Sequence, residues 1–186
     1  MKKKMIALAA TAGLAFVAMN AAHAADGTIN VTGSVVASTC KINGGQNDLD
    51  VPLPRVGTNS LSEAGMTAGR TPFKFDLTEC GTGAEAPTKV SVHFEPGANV
   101  NLETGRLVPI GAGTDGVAQN VEIGILNDKY EAVKVGAVGD QQNSSVATID
   151  GTTGAATLEY SAEYNATGVA TAGSANSSVQ YSLSYP

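Results

Sequence analysis

Apolar and polar residues alternate in short runs along most of this chain, and no window of a dozen residues beyond the N-terminus carries the 3.6-residue spacing of an amphipathic helix. Side chains alternate between the faces of a strand, so this period of two predicts strands with one buried face. The first run spans residues 27–38. Ile29, Val31, Gly33 and Val35 share one face, and Thr28, Asn30, Thr32 and Ser34 the other. It continues towards Cys40. Leu49, Val51 and Leu53 also alternate, but Pro52 and Pro54 interrupt them. Proline cannot donate to a ladder, which places this stretch at a sheet edge or strand end.

Phe73, Phe75 and Leu77 run into Cys80, and Val90, Val92 and Phe94 form the next strand. Residues 106–110 predict a short one. Val121, Ile123 and Ile125 precede a turn at Asn127-Asp128, and Tyr130, Val133 and Val135 return from it as a hairpin. Leu158, Tyr160, Ala162 and Tyr164 make a further strand; Val179, Tyr181, Leu183 and Tyr185 make the last. Between them, Gly44-Gly45 marks a turn, and 57–71 reads as a polar loop with a helical turn near 60–64. Residues 136–154 read as irregular. The set of elements is that of an all-β sandwich or barrel.

The N-terminus stands apart from this pattern. Lys2, Lys3 and Lys4 precede an apolar run over 5–19, and Ala22-His23-Ala24 offers a small-residue cleavage site. That order describes a secretory signal peptide over 1–24. An uncleaved anchor is the lesser reading, because a bilayer span needs about 20 apolar residues. The mature chain, 25–186, is one domain in length.

Without the three leader lysines, 8 basic residues face 17 acidic ones, a net charge of −9. This excludes nucleic acid as a partner, since phosphate binding needs clustered Lys and Arg. Cys40 and Cys80 are the two cysteines. In an exported chain they are expected to form one disulfide. A metal site is not expected, with only His93 to join two widely separated sulfurs, and no cofactor motif is present. His93 is the one histidine of the mature chain and faces away from Val92 and Phe94, so it reads as a sheet-face residue rather than a catalytic base. The acidic pairs Asp48 and Asp50, and Glu159 and Glu163, read as solvated strand positions rather than glycosidase carboxylates. No enzyme is expected.

Both ends of the mature chain are amphipathic strands, where a frayed polar tail is the ordinary expectation for at least one end. From the pattern alone, residues 27–38 fit equally an ordinary first strand of a complete sandwich and a strand made for another molecule. The first would be a monomeric secreted binding module.

Over the whole mature chain the sequence resembles the pilin subunits of chaperone–usher fimbriae, type 1 shaft subunits in particular. The resemblance rests on the alternating N-terminal segment with Gly33 at its centre, and on the spacing of Cys40 and Cys80. It rests further on Val51-Pro52-Leu53-Pro54, Thr71-Pro72-Phe73, Thr104-Gly105-Arg106-Leu107 and Val121-Glu122-Ile123-Gly124-Ile125. At the C-terminus Gly173 is fourteenth from the end, Tyr185 is penultimate, and Val179, Tyr181 and Leu183 alternate between them. The terminal Pro186 is a mild departure.

The resemblance implies an incomplete immunoglobulin-like sandwich lacking its final strand, completed by a donor strand from a neighbouring subunit. Residues 25–38 would be the donor-strand extension and 39–186 the pilin domain, with Ile29, Val31, Gly33 and Val35 entering the neighbour's groove. Gly173, Val179, Tyr181, Leu183, Tyr185 and Pro186 would form the chaperone-recognition motif and groove edge. The implied partners are identical or related pilins, a periplasmic chaperone and an outer-membrane usher. The implied role is a structural subunit exported through the periplasm into a surface fimbria, in the shaft or as a minor or adaptor subunit.

Overall fold

The computed structural model describes residues 29–32 and 40–186. The chain divides into two units, 1–34 and 35–186, each described by itself. In the first, Ile29 and Val31 are exposed. The leader, Gly33 and Val35 lie outside the described residues.

In the second unit the alternation at Phe73, Phe75 and Leu77 belongs to a long strand. In chain order the strands are β1 (Lys41–Ile42), β2 (Thr67–Thr78), β3 (Lys89–Phe94), β4 (Val100–Asn101) and β5 (Arg106–Leu107). They continue with β6 (Val121–Leu126), β7 (Ala132–Val133), β8 (Val146–Thr148), β9 (Ala156–Ala166) and β10 (Tyr181–Ser184). A seven-stranded sheet runs β1-β2-β9-β6-β5-β4, with β7 also on β6, and a three-stranded sheet runs β10-β3-β8. Every named strand pairing is antiparallel. The expected all-β architecture is therefore observed, as two sheets.

The core lies between inward faces that the period-two pattern marks. Phe75 and Leu77 from β2, Leu158 and Tyr160 from β9, and Val90, Val92 and Phe94 from β3 are almost wholly buried. Burying each such side chain contributes about 1.5–3 kcal/mol. The ring of Tyr160 stands edge-on to Phe75 at 5.8 Å and to Phe94 at 5.3 Å, joining the two sheets. Its hydroxyl meets the Ser144 hydroxyl at 2.7 Å, so the polar tip is satisfied inside the core.

Several local expectations are changed by long-range pairing. The polar stretch before Phe73 is strand from Thr67, not loop, because it pairs with the far end of β9. A register shift between Ala68 and Thr71 makes a bulge there, and Gly69 takes φ +72° within it. The helical turn expected near 60–64 is a 3-10 turn at Thr58–Leu61. Within 136–154 the structure forms a 3-10 turn, Gly139–Gln142, and the edge strand β8. The 127–135 hairpin is present, with Ile125 opposite Val133.

Glu163 corrects the reading of a solvated pair. Glu159 is exposed, but Glu163 is buried and accepts a hydrogen bond from Arg70 Nε at 2.8 Å. The bulge at Gly69 brings Arg70 across the outer face of the sheet, where its guanidinium also lies over the Tyr130 ring at 5.2 Å. His93 is half-buried opposite Ser182, with Nε2 3.7 Å from a Glu95 carboxylate oxygen.

Candidate strand-accepting groove

Residues 175–185 form one wall of an open groove. Their odd-numbered members are half-buried and their even-numbered members exposed. The inward set includes Val179, Tyr181, Leu183 and Tyr185, which pack against the main core.

Among the described residues only one flank of this segment is paired. Asn176 O accepts from Ile110 N at 2.8 Å, and Gln180 O accepts from Glu95 N at 2.8 Å. Further along, β10 pairs with β3 in the register Ser182–His93 and Ser184–Ser91. The even residues thus direct their backbone groups towards the body of the fold. Successive residues of a strand direct theirs to opposite flanks, so Val179, Tyr181 and Leu183 present N–H and C=O to the gap. The residues whose side chains line the wall are those whose backbone remains open along it.

The facing wall is 47–53, a stretch outside both sheets with no ladder partner among the described residues. Val51 and Leu53 pack against the core from that side, and Leu49 is more exposed. Pro52 and Pro54 offer no N–H to a ladder, and the stretch, read from its alternation as a strand broken by these prolines, is a strand of neither sheet.

Between the walls the groove encloses about 730 Å³, and its floor is core itself: Phe73, Phe75, Phe94, Ile123, Ala162 and Tyr164. Native cores hold few voids larger than a water molecule. An opening of this size, apolar below and lined by an unpaired strand edge, is the space of a missing strand. The rim at Asn47, Asp48 and Asp50 is polar.

One hydroxyl group crosses this space: the Tyr181 hydroxyl donates to the Asn47 carbonyl. Outside the groove lining, the Tyr185 hydroxyl accepts from the Cys40 N–H at 2.9 Å. Burial, followed by the nearby Asp48 carboxylate, pushes the Tyr181 phenol above its ordinary value. Burial raises Tyr164 on the floor in the same direction. Cys40, ahead of the second wall in sequence, is bonded to Cys80 just beyond β2. The cysteine pairing expected of an exported chain is present.

Of the residues expected here, the groove gathers Val179 and Tyr181 on one wall, and Leu183 and Tyr185 continue the same half-buried face along the core. It does not include Gly173. There Cβ would lie 2.4 Å from Ala118 N and 2.5 Å from Val117 C. Gly173 lets its segment lie directly on 116–118, where Ser174 and Val117 form a parallel bridge. Asn47 and the backbone of Cys40 escape sequence reading, because alternation assigns a phenol to a face but names no partner for its hydroxyl.

The sequence profile of the type-1 fimbrial protein A family matches residues 53–186. The major fimbrial subunit SMF-1 of Stenotrophomonas maltophilia is 43% identical, over 89% of this chain and 95% of its own. The F17 fimbrial protein of Escherichia coli is 40% identical, over 92% and 94%. The P pilus rod subunit PapA superposes with a TM-score of 0.59 at 18% identity, covering 80% of this chain and all of PapA's, which shows the shared fold. Sheets, groove and sequence agree: the chain belongs to the type-1 fimbrial protein A family, as a structural subunit of a surface fimbria.

Proposed function

We propose that the groove receives the N-terminal segment, 25–38, of a neighbouring subunit, and that the fimbria grows by repeating this step. The observation that carries the reading is the open edge of Val179, Tyr181 and Leu183 above a floor of exposed core. Strand addition supplies backbone hydrogen bonds along such an edge, and alternate side chains set the register. Ile29, Val31 and Val35 would fill the floor, each contributing about 1.5–3 kcal/mol on burial. Gly33 would pass where a side chain does not fit.

In this reading 1–24 is the signal peptide, 25–38 the donated extension and 39–186 the accepting domain. An open edge over an apolar groove invites aggregation, so the subunit needs a temporary strand before assembly. A periplasmic chaperone supplies it against Val179–Tyr185, with Pro186 at the end of the contact, and an outer-membrane usher hosts the exchange. The name of the Stenotrophomonas relative, a major fimbrial subunit, favours the shaft over a minor or adaptor role.

The test is deletion of residues 25–38 after the cleavage site, in cells that carry the secretion genes. The truncated subunit should accumulate with its chaperone yet form no fibres by electron microscopy and no heat-sensitive ladder on a denaturing gel. Normal fibres from the truncated chain would overturn the reading. A purified mature chain that stays monomeric at all concentrations would favour a complete sandwich instead.

A further inference from the structure

We propose that Tyr181 latches the groove, its hydroxyl tying one wall to the other until an entering strand displaces it. The inference rests on the strand-accepting reading above and concerns how that site is regulated. A single absent strand leaves its two neighbours about 10 Å apart, twice the interstrand spacing of about 4.8 Å. A tyrosine side chain with a hydrogen bond at its tip nearly spans such a gap, and Tyr181 does so. Its hydroxyl reaches the Asn47 carbonyl on the facing wall.

The contact has two consequences. The group engaged on the far wall is a backbone carbonyl, of the kind an inserted strand would itself pair with. The phenol also crosses the floor, where an inserted strand must place its inward side chains. The Tyr181 ring lies 4.9 Å from the Phe75 ring, over the part of the floor that such side chains would cover. Filling the groove therefore requires the ring to turn aside and its bond to break. The latch slows the approach of any strand that cannot replace that bond.

Removing the hydroxyl while keeping the ring isolates this effect. The mature full chain, at nanomolar concentration, is mixed with a fluorescent synthetic peptide of residues 25–38, and uptake is followed by anisotropy. Tyr181→Phe should take up the peptide about fivefold faster, the effect of losing one ordinary hydrogen bond before the barrier. Peptide release should be unchanged, because the filled groove no longer uses the hydroxyl. Equal or slower uptake by the variant, with normal uptake by the native chain, would overturn the latch and leave the groove assignment standing. No uptake by either would overturn both.

Discussion

The carboxamide of Gln142 closes a ring of two hydrogen bonds on the backbone of Phe94. Phe94 N donates to Oε1 at 2.7 Å, and Nε2 donates to Phe94 O at 2.9 Å. A neighbouring strand would make the same pair of bonds. β8 covers β3 only from Lys89 to Ser91, so the side chain of Gln142 extends the ladder where the strand has ended.

Gln142→Ala tests that substitution of side chain for strand. The Phe94 carbonyl keeps a second donor, Gly136 N at 3.1 Å, whereas its N–H loses its partner inside the core. An orphaned buried donor costs about 1–3 kcal/mol, and the vacated volume adds to this. The midpoint of urea unfolding should fall accordingly, with an unchanged slope. A loss below about 0.5 kcal/mol, the scatter of ordinary surface substitutions, would mean that water restores the pair.

Gln142 also shows where the sequence stops being readable. The strands with strong alternation, Phe73–Leu77, Val90–Phe94, Val121–Ile125 and Leu158–Tyr164, are found where period two puts them, because their apolar members face the core, although β6 is buried on both faces. The stretch 136–154 has no such face. Its structure is set by partners far along the chain, such as Phe94 for Gln142. Thr67–Arg70 is similar: polar residues become strand because β9 extends beside them. Of the groove, the wall 179–185 and the proline-broken edge at 51–54 are legible as pattern. The facing of one against the other is not, since only the fold brings Asn47 to Tyr181.

Gly173 offers a separate test of what the C-terminal pattern is for. Any side chain there meets backbone, at Ala118 N and Val117 C, which a rotamer change cannot relieve. Gly173→Ala should force 171–174 off 116–119, breaking the bond from Ala118 N to Ser174 O at 2.9 Å. Overpacking of this kind costs about 1–3 kcal/mol. The loss should appear in unfolding of the purified subunit, without chaperone. Native stability of the variant alone, with poor chaperone capture, would assign Gly173 to recognition instead.

The disulfide joins the residue ahead of the groove's second wall to the end of β2 across a sequence separation of 40. Closing a loop of that length stabilises by about 4 kcal/mol in the chain-entropy account. Replacing Cys40 and Cys80 together by Ala should therefore lower stability by more than either substitution above. Denaturant unfolding of the variant, compared with the native chain before and after reduction, checks the size of the effect. Coincident curves for the variant and the oxidised native chain would show that the bond adds nothing to the folded domain.

Tyr160 sets an alkaline limit. Its hydroxyl is buried between the sheets, and burial pushes the phenol above its ordinary value of 10.0, against the opposing pull of the bond with Ser144. Above pH 10 the unfolded chain gives up this proton while the folded chain still holds it. The folded state then binds more protons, so stability falls as pH rises from 10 through the raised value, and is unaffected well below 10. Tyr164 and Tyr181 are shifted in the same direction and add to the slope. Tyr160→Phe loses the bond to Ser144, about 1 kcal/mol at neutral pH, but has no proton to release. The gap between native and variant stability should narrow as pH is raised from 9 to 11 in urea titrations (roughly the span around the phenol's ordinary range). Parallel curves across that interval would mean that Tyr160 ionises as freely in the fold as outside it.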